Sequence, residues 1–219
     1  MRKILSILVT SMMLFACKGN ESKQATGDQA LAASADITNA EKVYNLDVAS
    51  SKIEWKGSKL FGSDYHDGIV SPKSGKLGFS GGQPIAGEIV IDMTTISNTD
   101  LAESPEDQAK LEGHLKSDDF FGVEQFPQAK FVITAVTAQD NNAYTVKGNL
   151  TIRDKTEAIE FPAEISQNDS DISAVAKLTF DRSKFNVKFR STSFAEFVDI
   201  AKDKVIDDII ELKLTLKLS

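Results

Sequence analysis

The sequence is short of the side chains from which most enzymes are built. Its 219 residues include one cysteine, Cys17, and two histidines, His66 and His114. A lone cysteine excludes an internal disulfide framework, and an unpaired thiol in an exported chain is a reactive liability. So few bases leave little material for a nucleophile, base and orienter, and neither histidine lies in a recognisable catalytic motif. Acids and a histidine adjoin in Asp64-Tyr65-His66-Asp67-Gly68, but the spacing fits no zinc or calcium pattern and predicts a polar loop. No catalytic residue, metal or cofactor is therefore expected. Excess basic charge is also lacking. The formal net charge is −7, and loss of Arg2 and Lys3 with a leader would deepen it, which excludes nucleic acid as a partner. The apolar run Ile4 to Phe15 falls short of the roughly 20 residues needed to cross a bilayer as a helix.

What is present begins with that run. Arg2 and Lys3 precede it, as in a secretory signal peptide. It ends in Leu14-Phe15-Ala16-Cys17, which resembles the bacterial lipobox, where cleavage before the cysteine leaves it to carry acyl chains. Residues 1–16 are thus expected to be a leader, with Cys17 lipidated. Multiple acyl chains exceed the two-signal threshold for stable anchoring, so the mature protein is expected in the cell envelope, facing the periplasm or the outer surface. Lys18 to Lys42 has no aromatic residue and is rich in Ala, Ser, Thr, Asn, Gln and Asp. Such a segment cannot bury enough apolar area to offset its ordering entropy, so residues 17–42 read as a lipidated cysteine and flexible tether. Ala30 to Ala35 is at most a fraying helical turn.

From residue 43 to 219 the period is two, the mark of half-buried antiparallel strands. Tyr144, Val146, Gly148, Leu150 and Ile152 share one face. Ile159, Phe161, Ala163 and Ile165 share another, as do Ile172, Ala174, Ala176, Leu178 and Phe180, and Ile210 to Leu218 in alternation. Earlier strands are predicted at Tyr44–Val48, Lys52–Ser58, Lys73–Phe79, Ile85–Met93 and Lys130–Gln139. Turns are expected at Gly81-Gly82, Asp140-Asn141-Asn142 and Gln167-Asn168-Asp169. Ser104-Pro105-Glu106-Asp107 supplies a capping hydroxyl, a proline at the first helical position and early acids, so a short helix should run to about Lys116 and cap one end. About eight strands with one apolar face bury it most simply by closing into an antiparallel β-barrel with one or two short helices. A two-sheet sandwich has the same periodicity.

Two blocks carry a family resemblance: GHLKSDDFFGVEQFPQAKF at Gly113 to Phe131 and VKGNLTIRDKT at Val146 to Thr156. A third, Asp181-Arg182-Ser183-Lys184-Phe185-Asn186-Val187, follows in order. Together they resemble the YceI-like family. The resemblance implies a lipocalin-like barrel enclosing a tunnel for a polyisoprenoid, isoprenoid quinone or fatty-chain amide.

Small barrels either fill with side chains or hold one ligand. The candidate ligand-binding residues are Trp55, Phe79, Phe131, Tyr144 and Phe180 on strands, and Phe120, Phe185 and Phe189 in connections. Leu150, Ala176 and Leu178 complete the set on inward faces. For each aromatic, core packing is the alternative. The small inward residues Gly148, Ala163, Ala174 and Ala176 favour a cavity over a filled core. His114 is expected to cap carbonyls or bond a loop, with a ligand headgroup contact as the alternative. Expected partners are an apolar lipid or isoprenoid, the membrane through Cys17, and a second copy of the chain. An enzyme acting on a lipid predicts shifted titratable groups inside the cavity. A solid interaction protein predicts a filled barrel with a large exposed apolar patch.

Overall fold

Alternating side chains give nine strands and one helix in the computed structural model, which describes residues 35–168 and 171–219. The strands are β1 (Lys42–Asn45), β2 (Lys52–Ser58), β3 (Tyr65–Ser80), β4 (Gln83–Asn98), β5 (Gln128–Ala138), β6 (Ala143–Ile152), β7 (Lys155–Asn168), β8 (Asp171–Asp181) and β9 (Ile209–Leu218). Helix α1 (Pro105–Lys116) lies between β4 and β5. Every strand from β2 to β9 pairs antiparallel with the next, and β9 returns to β2 through Lys52↔Thr215 and Trp55↔Leu212. The ring is therefore a closed eight-stranded barrel rather than a sandwich, each ring strand pairing on both sides over at least part of its length. Strand β1 flanks it, paired with the last residues of β3.

Turn chemistry matches the sequence. Gly81 and Gly82 both have positive φ between β3 and β4, and Asn141 and Asn142 do the same between β5 and β6, as two-residue type I′ hairpins require. The sequence cut β3 and β4 short because bulges reverse the inward phase of both strands. Gly68, Val70 and Pro72 are buried on β3, but after the irregularity between Pro72 and Ser74 the buried set becomes Leu77 and Phe79. On β4 the register jumps between Ile69↔Ser97 and Ser71↔Asp92, so Met93 and Ile96 both face the core. Hence the expected polar loop at Asp64 to Gly68 is instead the start of β3. A Cβ on Gly68 would lie 1.9 Å from the Ser97 carbonyl oxygen and 2.7 Å from the Trp55 ring, so only glycine lets that indole cross the strand. Helix α1 starts at Pro105 as expected, but Ser104 makes no side-chain capping bond; its backbone N–H goes to Leu101 O and its carbonyl accepts from Gln108 N.

The interior divides into two ends. At the end holding the β3–β4 and β5–β6 turns, Tyr44 meets Phe79 edge-on at 5.3 Å, and its hydroxyl accepts a 2.7 Å bond from Gln167 Nε2. Tyr144, Ala163, Ile165, Ile172, Ala176 and Leu218 are buried with them. That end is filled.

Residues 35–41, placed with the tether on composition, pack onto this filled end. Ala35 is buried and its N–H donates to Glu88 Oε2 at 2.8 Å. Glu41 N donates to Phe79 O at 2.8 Å, and the Glu41 carboxylate accepts from Gly81 N at 3.0 Å. A Cβ on Gly78 would strike Ala40 at 2.8 Å, so close approach of this segment needs glycine there. Composition missed it because three or four anchoring contacts need few apolar residues. Residues 17–34, with Cys17 and most of the alanine-rich stretch, lie outside the described residues. Removing residues 35–41 is expected to cost about 2 kcal/mol, at roughly 1 kcal/mol for each lost hydrogen bond less what water restores. In a domain of this size that is a fall in Tm of about 4–8 °C, read by comparing chains that start at Ala35 and at Lys42 in thermal unfolding. Equal melting temperatures would show the contacts to be idle.

Candidate functional site

At the opposite end of the ring the side chains do not meet, and a cavity of about 400 Å³ remains. Its walls are aliphatic and come from strands all round the barrel: Ile53, Val70, Ile89, Ile91, Leu178, Ile210, Leu212 and Leu214. Aromatic rings line it as well, with Trp55 on β2, Phe131 on β5, Phe161 on β7 and Phe180 on β8. The volume falls in the lower part of the range for ligand pockets.

Three irregular segments frame its mouth. Helix α1 packs against β4 and contributes Leu111, His114 and Leu115. The loop after it brings Phe120 and Phe121. The long connection from β8 to β9, residues 182–208, crosses the mouth as a lid and contributes Phe189, Arg190 and Ile206. Phe189 is the centre of an aromatic chain, 4.6 Å from His114, 5.5 Å from Phe120 and 5.9 Å from Phe197 between ring centroids.

Two arginines, one fully buried and one half-buried, hold these segments. Arg182 is 1% exposed and extends under the lid. Nε donates to Asp207 O at 3.0 Å, Nη1 to Val187 O at 3.0 Å, and Nη2 to Ile206 O at 3.2 Å. Asp208 Oδ1 lies 3.2 Å from Nη2 as an ion pair, without the alignment of a hydrogen bond. The other oxygen, Oδ2, accepts from Ser191 Oγ at 2.8 Å and Ser193 Oγ at 2.7 Å. The two ends of the lid are thus tied to one guanidinium. Arg153, at positive φ in the β6–β7 turn, does the same for the α1–β5 loop, donating to Asp118 O at 3.1 Å and Phe120 O at 2.8 Å.

The polar lining groups come from the β2–β3 hairpin (Ser58, Lys59, Asp64, Tyr65 and His66), from α1 (His114) and from the lid (Arg182 and Arg190). The Lys59 side chain is 36% exposed and that of His66 48%, so the cavity reaches solvent at the hairpin. Lys59 Nζ bonds Asp64 Oδ2 at 2.7 Å and holds that carboxyl below the usual range. His66 Nδ1 lies 2.9 Å from Asp100 Oδ2. Burial works to raise the Asp100 carboxyl, but bonds from Asp67 N, His66 and Asn98 outweigh it and keep it low. His114 Nε2 lies 3.0 Å from Asp119 Oδ2, bonding a loop while its ring faces the cavity. Among the described residues no hydroxyl is hydrogen-bonded to either imidazole, and no three His, Cys, Asp or Glu side chains cluster as metal ligands.

Of the residues singled out from sequence, Trp55, Phe120, Phe131, Leu150, Leu178, Phe180 and Phe189 line the cavity. Phe79, Tyr144 and Ala176 do not, because they belong to the filled end. Phe185 does not either: it is 1% exposed in the 3-10 turn Arg182–Phe185, edge-on to Phe180 at 5.6 Å. That turn packs beside β7. It does so where β7 and β8 have diverged, since their pairing runs only from Ala163↔Ala176 to Asn168↔Asp171. The volume argument from small residues fails too. The space beside Gly148 is taken by the Phe131 ring, which a Cβ would meet at 2.3 Å, and Ala163, Ala174 and Ala176 line no part of the cavity. Sequence reasoning missed Arg182 and Arg153, although both sit in the quoted blocks; an arginine that bonds backbone carbonyls leaves no periodic signal.

A closed eight-stranded antiparallel barrel, filled at one end and hollow and apolar at the other under a stapled lid, is of the lipocalin-like class. A model of the YceI-like domain matches residues 44–218, the whole ring with the last two residues of its flanking strand, and the chain belongs to that family. Relatives include a UPF0312 protein of Pseudomonas putida strain W619, 29% identical over 119 residues, and one of Pseudomonas fluorescens strain SBW25, 29% identical over 148. These alignments cover 54% and 65% of this chain and 58% and 73% of the relatives; the chain thus spans little more than half of the first. Among solved structures, BcnA of Burkholderia cenocepacia superposes with a TM-score of 0.60 at 24% identity, covering 78% of this chain and 98% of that one. A polyisoprenoid binding domain from Saccharophagus degradans, described as implicated in plant cell wall breakdown, gives 0.60 at 14% identity, covering 80% and 97%. Both likenesses establish the fold.

Proposed function

We propose that this protein binds one long apolar molecule, of the polyisoprenoid, isoprenoid quinone or fatty-chain class, and carries or sequesters it in the cell envelope without altering it. The observation that carries this reading is the cavity of about 400 Å³ with aliphatic and aromatic walls and its ionisable lining groups confined to the β2–β3 hairpin, α1 and the lid. An apolar chain entering it gains about 0.8 kcal/mol for each buried methylene, while a polar head stays among Lys59, His66 and Arg190. The polyisoprenoid binding domain among the solved neighbours and the membership in the YceI-like family support the ligand class. The lipobox-like Leu14 to Cys17 supports a membrane anchor, which would place the carrier beside a store of such lipids.

Native mass spectrometry of protein purified from its own membrane tests both parts. The expected spectrum shows a chain beginning at an acylated Cys17 and a non-covalent apolar guest released on activation. An empty barrel would overturn the ligand reading, and an unacylated Cys17 would overturn the anchor.

A further inference from the structure

The surface around the cavity mouth has a composition that the barrel alone does not need. Leu60 and Phe61 at the tip of the β2–β3 hairpin are 45% and 49% exposed, and Tyr65 and Val198 are similarly open. The hairpin and lid form one continuous face: Leu60 N donates to Val205 O at 3.1 Å, and Lys202 Nζ sits 5.9 Å from the Phe61 ring centroid. Lysines cover the other rings of this face in the same way. Lys56 Nζ lies 4.5 Å from the Tyr65 ring and Lys188 Nζ 5.5 Å from that of Phe194. Residues 56–65 and 188–204 together carry six cationic side chains against four acids, in a chain of net charge −7. Of those acids, Asp64, Glu196 and Asp203 pair with Lys59, Lys188 and Lys204 of the same face, and the cationic excess is what remains.

Exposed aromatic and aliphatic side chains interleaved with lysines whose ammonium groups sit over the rings are the arrangement suited to a membrane interface. There the rings sit at headgroup level and the ammonium groups reach lipid phosphates. The geometry points to a docking surface, made by the β2–β3 hairpin and the lid, that seats the cavity mouth on a bilayer bearing anionic headgroups. The inference rests on the reading of the cavity as an apolar-ligand site, since seating the mouth on a bilayer lets a chain pass into the cavity without crossing water. Residues 35–41 dock at the filled end, remote from this face. The eighteen residue steps from Cys17 to Ala35 allow a reach of at most about 65 Å, enough to let the mouth turn to the membrane that holds the anchor.

The test uses a chain starting at Lys18, which keeps every described residue and lacks Cys17, in co-sedimentation with vesicles of phosphatidylcholine alone or mixed with phosphatidylglycerol. Binding is expected to the mixed vesicles, to weaken as salt is raised, and to fall at least tenfold in the double variant Phe61→Ser/Val198→Ser. Lys188→Glu/Lys202→Glu should fall similarly, whereas Val48→Ser/Val175→Ser, exposed elsewhere, should match the parent. Absence of parent binding, or equal binding by the hairpin and lid variants, would overturn the proposal. So would concentration-dependent self-association abolished by Phe61→Ser/Val198→Ser, which would identify a second copy as the occupant. Loading of a fluorescent fatty-chain probe from detergent solution, followed by native mass spectrometry, is expected to be unchanged in the hairpin and lid variants. Lost docking with intact loading, or the reverse, therefore separates this surface from the function of the cavity.

Discussion

Replacing Arg182 by leucine is expected to lower the Tm by about 10 °C or more and to free the lid. The guanidinium donates to the carbonyls of Val187, Ile206 and Asp207 and faces Asp208. Leucine leaves those carbonyls without that donor and a half-buried carboxylate without its cation. Removing one partner of a buried ion pair typically costs about 3–5 kcal/mol, and a domain of this size loses about 2–4 °C for each kcal/mol. The sign distinguishes this from a simple loss of favourable contacts. Adding Asp208→Asn to Arg182→Leu should restore part of the stability, because most of the cost is the orphaned charge. Thermal unfolding of the two single variants and the double one gives the coupling directly. Limited proteolysis should cut Arg182→Leu within residues 186–206 while the strands stay protected. A fall of less than about 2 °C, with an uncut lid, would mean that the aromatic chain through Phe189 holds the lid without the arginine.

The strands were legible where burial alternates without interruption. The inward set of β6 (Tyr144, Val146, Gly148, Leu150, Ile152) and those of β7, β8 and β9 are the buried or half-buried faces seen in the barrel. Legibility stopped at the bulges of β3 and β4, because inserting residues inverts the phase that alternation depends on. Barrel closure was not in the periodicity either. It depends on the β2–β9 pairing, between segments more than 150 residues apart; the economy of closing every edge and the family blocks favoured it over a sandwich, not the alternation.

The candidate site was legible in type but only partly in place. Alternation says that Ala176 and Leu178 both point inward, and they do, yet only Leu178 faces the cavity. The difference is depth along the barrel axis, which a period of two does not encode. Depth is set by which end the turns and loops close. The filled end is stoppered by Tyr44 and Phe79, with the docked residues 35–41 against its wall, while the other is bridged by a lid whose span depends on Arg182. Small inward residues consequently marked tight packing, as at Gly148 beneath Phe131, and the hollow is lined by ordinary leucines and isoleucines that do not meet across the barrel. That inverts the usual inference from small side chains to free volume, and it identifies where a blocking substitution has to go.

Ala129 is such a position. It is buried on β5, opposite Ile91 of β4, and it lines the cavity. Ala129→Phe adds a phenyl ring that can occupy the hollow, and displacing about four methylenes of a bound chain at about 0.8 kcal/mol each removes roughly 3 kcal/mol of binding. That corresponds to an affinity loss of about 100-fold. Because the ring enters existing space, the domain should keep its circular dichroism and melt within a few degrees of the parent. Ala176→Phe is the matched contrast, the same exchange on another inward face. It meets the packed filled end opposite Ala163 of β7, although its β9 partner Leu214 reaches the cavity wall, so overpacking should cost about 1–3 kcal/mol and lower the Tm with a smaller loss of affinity than in Ala129→Phe. Titration with a fluorescent fatty-chain probe, alongside thermal unfolding, reads both quantities in each variant. Weaker binding with retained stability in Ala129→Phe, and lowered stability with the smaller loss of binding in Ala176→Phe, would place the guest at the lid end. Undiminished binding in folded Ala129→Phe would sink that placement, since no chain can share the cavity with the new ring at full contact.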